Sequence, residues 1–132
     1  MRLPGPPAPA QDGFLADSDG GPQPDDFADE MFLLARTPAG WLLVTGCCHR
    51  GLENTLAHAR RLNNGEAVAV VVGGLHLNRA SRRALEAAAT ALDAAGTREV
   101  WAGHCTGEKA IAHLAQRLRG RVETLRAGLS LP

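Results

Sequence analysis

The sequence predicts an α/β layered fold: a β-hairpin followed by α-β-α-β-α-β. Three observations predict it. Two short apolar runs flank the turn Thr37-Pro38-Ala39-Gly40, which marks a hairpin. The run Ala67–Val72 is almost wholly apolar, rich in Val and bounded by turn residues, as expected of a strand buried on both faces. Three times a strand enters a glycine-containing loop that holds one histidine, and a helix then begins.

The first hairpin strand is Glu30–Arg36 and the second is Trp41–Thr45. The tight loop Gly46-Cys47-Cys48-His49-Arg50-Gly51 leads into a helix over 52–62, with Leu52, Leu56, Ala59 and Leu62 at helical spacing. Asn63-Asn64-Gly65 ends that helix. After Ala67–Val72 comes the loop Gly73-Gly74-Leu75-His76-Leu77-Asn78, then an Ala-rich helix over Ser81–Ala95 with Gly96 past its end. Arg98–Ala102 is the next buried strand, Gly103-His104-Cys105-Thr106-Gly107 the third loop, 108–119 the last helix and Arg121–Leu125 the last strand. Residues 1–28 hold six of the eight prolines, with many Gly, Asp and Gln. That composition buries too little apolar surface to offset its ordering entropy, so 1–28 reads as a disordered or irregular leader and 29–132 as the folded unit.

Composition excludes several functions. Lys plus Arg number 14 and so do Asp plus Glu, which argues against electrostatic binding of nucleic acid or of an anionic membrane. No apolar run approaches the ~20 residues that span a bilayer, and Arg2 is followed by no apolar signal segment, so a cytoplasmic location is expected. The three cysteines, Cys47, Cys48 and Cys105, are an odd number with two adjacent, a poor disulfide framework. There is no C-x-x-C pair for a structural zinc knuckle.

The chemistry lies in the three loops. Ligands of α/β sheets bind beyond the carboxyl ends of strands, where all three loops fall. A histidine in one such loop reads as an ordinary hydrogen-bonding surface residue; at three equivalent strand ends, His49, His76 and His104 read either as such residues or as imidazole donors to a metal. Cys47 and Cys105 beside them fit either small buried apolar residues or thiolate ligands and their supports. A Cys–His nucleophilic pair lacks an identifiable orienting residue. His58 and His113 lie within helices and read as ordinary helix-face residues. The acidic stretch Asp25-Asp26-Phe27-Ala28-Asp29-Glu30 reads by itself as a solvated loop, with carboxylates that can also join the site or cap a turn.

Four motifs occur in order: Asp25-Asp26-x-x-Asp29-Glu30; Val44-Thr45-Gly46-Cys47-Cys48-His49-Arg50-Gly51-x-x-Asn54; Gly73-Gly74-x-His76-Leu77; and His104-Cys105-Thr106-Gly107. Together they resemble the C-terminal half of a branch of metallo-β-lactamase-fold metallohydrolases, the 7,8-dihydropterin-6-yl-methyl-4-(β-D-ribofuranosyl)aminobenzene-5′-phosphate synthase-like proteins. That branch usually reads T-G-C-S-H-x-G-x-x-N, G-G-x-H-L and H-C-T-G; here Cys48 replaces the serine. The match covers about residues 24–128.

The resemblance implies half of an αββα sandwich and a divalent metal, commonly zinc, at the sheet edge. His49 and His104 match metal ligands. His76 matches a ligand or a substrate-side group, and Cys47, Cys105, Asn54, Thr106, Asp29 and Glu30 fall at positions that support the metal or meet a small-molecule substrate. The implied chemistry is hydrolysis of a phosphate or other ester by metal-activated water. The superfamily's H-x-H-x-D-H cluster has no counterpart, because no two of the five histidines are separated by a single residue. The three histidines alone are therefore a partial site, expected to hold less than one tight metal per chain. The sheet that would pack on this half is also lacking, which predicts an exposed apolar face. Three expectations follow: a truncated or split hydrolase inactive alone; pairing as a homodimer or with a separate N-terminal-half protein; or a non-catalytic metal- or partner-binding module.

Overall fold

In a computed structural model, residues 13–130 are described, and their largest unit is a five-stranded mixed sheet of strands in sequential order. A small antiparallel pair, β1 (Leu15–Ala16) and β2 (Gln23–Pro24), precedes it. The sheet comprises β3 (Phe32–Thr37), β4 (Gly40–Thr45), β5 (Val70–Gly73), β6 (Glu99–Ala102) and β7 (Arg121–Thr124). Between the parallel strands lie α1 (Leu52–Leu62), α2 (Arg82–Ala94) and α3 (Glu108–Arg117). β3 and β4 are the expected antiparallel hairpin, and β4 to β7 are parallel.

Three successive crossovers of one hand in a sequentially ordered sheet put all three helices on one face. Register then decides which side chains meet them. Leu43, Val71, Val100 and Val122 stand in one row. They join Leu52, Leu56, Ala88, Leu92 and Leu114 of the helices in the main core. The neighbouring row, Val44, Val72, Trp101 and Glu123, lies on the opposite face. There Val70, Val72 and Trp101 are buried, with Leu129 packed against them. Arg121 lies 4.6 Å over the Trp101 ring, whose Nε1 donates to Glu99.

That second face departs from the expected bare surface. Its centre is covered by this chain's own residues, and among the described residues of the sheet the most exposed apolar side chains stand at the β3 edge. Leu33, paired with Val44, is 59% exposed, and Met31 just before the strand is 82% exposed.

Element boundaries moved where polar groups found other partners. The strand expected from Glu30 begins at Phe32 because Glu30 N–H closes a turn onto Phe27 O and its carboxylate serves the next loop. The strand expected from Ala67 begins at Val70, since Val68 and Ala69 bond to the α2–β6 connection instead. Within the expected leader, Phe27 is buried and the β1–β2 pair is regular; residues 1–12 of that leader lie outside the described residues. Aromatic stacking supplies what the composition of this stretch concealed.

Candidate metal centre

The loops after β4, β5 and β6 meet at one edge of the sheet. Cys47–Gly51 runs into α1, Gly74–Ser81 into α2 and Gly103–Gly107 into α3. Glu30 braces the first loop. Its two carboxylate oxygens accept the backbone N–H of His49 at 2.5 Å and of Arg50 at 2.8 Å. The same carboxylate lies 3.5 Å from His49 Nδ1. Asp25 and Asp26 accept the N–H groups of Phe27 and Ala28, two turns that present the Phe27 ring. Phe27 stacks on His49 with centroids 4.3 Å apart, Phe14 lies 5.4 Å from His49, and His76 meets His49 edge-on at 4.6 Å.

Three of the four non-glycine residues at positive φ among the described residues belong to this neighbourhood: Phe27 (49°), Cys48 (65°) and His76 (51°). Such backbone is costly and concentrates at functional sites. His76 is therefore held deliberately, yet its buried Nδ1 has no hydrogen-bond partner. Burial first, then the neighbouring His49, lowers its pKa, which favours the neutral ring that can donate to a metal.

A second group forms across the first and third loops. Cys47 Sγ lies 2.9 Å from His104 Nε2, and the Cys105 thiol donates to Cys47 O at 3.3 Å. The donor atoms of Cys47, His104 and Cys105 all lie within 4.8 Å of one another. The intervening loop passes beneath them as bare backbone. A Cβ at Gly74 would stand 2.6 Å from Cys105 Sγ, 2.6 Å from Gly46 O and 2.8 Å from His104 Cε1. Gly74 N–H donates to Gly46 O at 2.8 Å, fixing that approach.

The structure thus divides the residues singled out by sequence. His49 groups with His76 and Glu30, while His104 groups with Cys47 and Cys105. Asn54 is buried and donates to Arg50 O at 2.8 Å, joining the first loop to α1. Thr106 is fully buried and its hydroxyl accepts Leu75 N–H, tying the third loop to the second. Asp29 is exposed in the turn after Phe27. Cys48 packs in the core beside Thr55, and burial pushes its thiol up to about 12. His58 is buried against Phe32, and His113 lies 3.2 Å from Glu86. Phe14 and Phe27 are members of the site that sequence reasoning missed; an isolated aromatic in a Pro/Gly-rich stretch carries no periodic signal.

No protein-family model matches the chain. A protein of Methanocaldococcus jannaschii named 7,8-dihydropterin-6-methyl-4-(β-D-ribofuranosyl)-aminobenzene-5′-phosphate synthase is 31% identical over 104 residues, which are 79% of this chain and 35% of that protein. An uncharacterized protein of the same organism is 32% identical over 105 residues, 78% of this chain and 37% of that protein. A crystal structure of a metal-dependent hydrolase of the β-lactamase superfamily superposes with a TM-score of 0.83 at 32% identity, over 96% of this chain and 51% of that one. The chain therefore spans about a third of the curated relatives and about half of the solved structure.

Proposed function

Since the chain belongs to the metallo-β-lactamase superfamily and spans about half of a solved member, we propose that it contributes its loops to a metal-dependent hydrolase site for a phosphate or other ester. The observation that carries this reading is His76. It shares one sheet edge with His49, and its buried Nδ1 has no hydrogen-bond partner. An unsatisfied buried donor or acceptor costs about 1–3 kcal/mol, which a metal or a substrate group at that atom would offset.

His49 and His104 are the expected ligands of a divalent metal of the zinc class, with His76 a further ligand or a substrate contact. Glu30 faces His49 Nδ1, an arrangement of the kind that fixes the tautomer and ring orientation of a metal-ligating histidine. When bound, such a metal brings the pKa of its water to about 7 and so supplies a hydroxide nucleophile. Phe27 and Phe14 screen one side of His49 from water and hold the ring in place. The remaining ligands would come from a second copy of this chain or from a polypeptide carrying the complementary half. The exposed Leu33 and Met31 at the β3 edge suit such a partner.

The test is hydrolysis of a chromogenic phosphate diester with zinc or manganese, alongside native mass. An assembly larger than one chain should hydrolyse it, and His49→Ala and His104→Ala should each cost at least about 100-fold in kcat/KM. A metal-loaded assembly with no hydrolysis would support the second reading, a non-catalytic metal- or partner-binding module. That reading is favoured by one observation: the tightest donor group, Cys47, His104 and Cys105, comes wholly from this chain.

A further inference from the structure

We propose that Cys47, His104 and Cys105 form a thiolate-rich site that this chain completes by itself. It takes one thiophilic divalent ion of the zinc, cobalt or cadmium class and leaves a fourth position open. The site does not rest on the hydrolase reading, although the two draw on one histidine. It shares only His104 with the histidine cluster, and it needs neither a partner nor turnover.

Geometry is the main argument. Zinc bonds of roughly 2.3 Å to sulfur and 2.0 Å to nitrogen place tetrahedral donors about 3.5–3.8 Å apart. Cys47 Sγ and His104 Nε2 at 2.9 Å need to open slightly, and no pair in the trio exceeds 4.8 Å, so side-chain rotations reach the required triangle. Gly74 is the second argument. It lies between the first and third loops, where any side chain would strike Cys105 Sγ and His104 Cε1. Bare backbone there lets the two loops bring sulfur and nitrogen together across the end of β5.

Exposure sets the character of the site. Both cysteines are half-buried and His104 is exposed, so three donors converge with one side facing solvent. Three protein ligands with an open position describe reactive rather than closed structural zinc sites. His104 donates through neutral Nε2. Each thiol loses its proton as its sulfur bonds the metal, so binding one ion releases two protons to solvent. Cys47 and Cys105 are 58 positions apart, which hides the pair from any short cysteine motif. An ion seated here competes for His104 with one held beside His49.

The test is cobalt(II) titration of the full, reduced chain, read by near-ultraviolet absorption, with folding checked by circular dichroism. One equivalent should bind with an intense thiolate-to-cobalt charge-transfer band. Cys47→Ser and Cys105→Ser should each remove most of the band and weaken binding at least about tenfold. His49→Ala should leave the band in place. In the unmutated chain, zinc should protect Cys47 and Cys105 from alkylation, a readout that needs no variant to fold. Cobalt bound without that band, and lost on His49→Ala, would overturn this site while leaving the histidine reading intact. A folded chain that takes up no cobalt, or thiols alkylated equally with and without zinc, would also overturn it.

Discussion

Glu30 does three jobs with one carboxylate: it accepts two backbone N–H groups of the first loop and faces the ring of His49. Glu30→Ala removes all three. The two N–H groups lose a charged acceptor, and urea denaturation should show a loss of about 1–3 kcal/mol. A change under about 0.5 kcal/mol would mean water replaces the carboxylate freely. Cys48 gives an opposite case beside the same loop. Its thiol, raised to about 12 by burial, should resist iodoacetamide in the native metal-free chain while Cys47 reacts. Mass spectrometry of the labelled peptides checks this; equal rates at Cys47 and Cys48 would contradict it. The sequence singled out Cys47 and set Cys48 at a serine position, without showing which thiol is buried. What separates them is one residue of register and the positive φ of Cys48, which sends its side chain into the core.

Elements were far more legible than contacts. Helix α1 spans Leu52–Leu62, the residues its periodicity predicts, and Ser81 caps α2 by accepting Ala84 N–H. Strand order and the three strand–loop–helix units follow from local pattern and handedness. The donor trio does not, because β4 and β6 are brought together only by the strand between them. Gly74 marks that juncture. Gly74→Ala should cost about 1–3 kcal/mol by overpacking against Gly46 O and Cys105, and should weaken zinc binding with it. Denaturation and zinc titration of the same variant test both parts; an unchanged value for either would remove the close approach from the account. Helix α1 also carries a pH response. Burial first, then Arg61, lowers the pKa of His58 from 6.5. The unfolded chain therefore takes up a proton near pH 6.5 before the folded chain does. Stability is fully present above that pH and declines as pH falls through and below it. His58→Leu should flatten the loss between pH 7.5 and 5.5, and an unaltered pH slope would contradict the assignment.

At the scale of the molecule, the helix-covered face is a complete core and the opposite face is only partly closed. The α/β class, the strand sequence and the half-sandwich relationship were readable because they rest on repeated local pattern and ordered motifs. The covering of Trp101 by Arg121 and Leu129 was not, since it depends on a tail folding back. No described helix is long and apolar enough to cross a membrane. Met31 and Leu33 leave apolar surface exposed at the β3 edge, the surface proposed above for a partner. Leu33→Asp should convert any assembly of the chain to the 13.9 kDa monomer without unfolding it. An assembly that survives the substitution would place the interface elsewhere.

The central claim is that the edge where the three loops meet holds a divalent metal. Elemental analysis of the full chain, purified without chelators and with zinc present, tests it most directly. The histidines alone predict less than one equivalent; with the two thiols beside His104 the expectation rises to one. That equivalent should fall below about 0.1 on His104→Ala, the donor common to both groups. Near-zero zinc in a folded chain, or one equivalent unaffected by His104→Ala, would contradict the account.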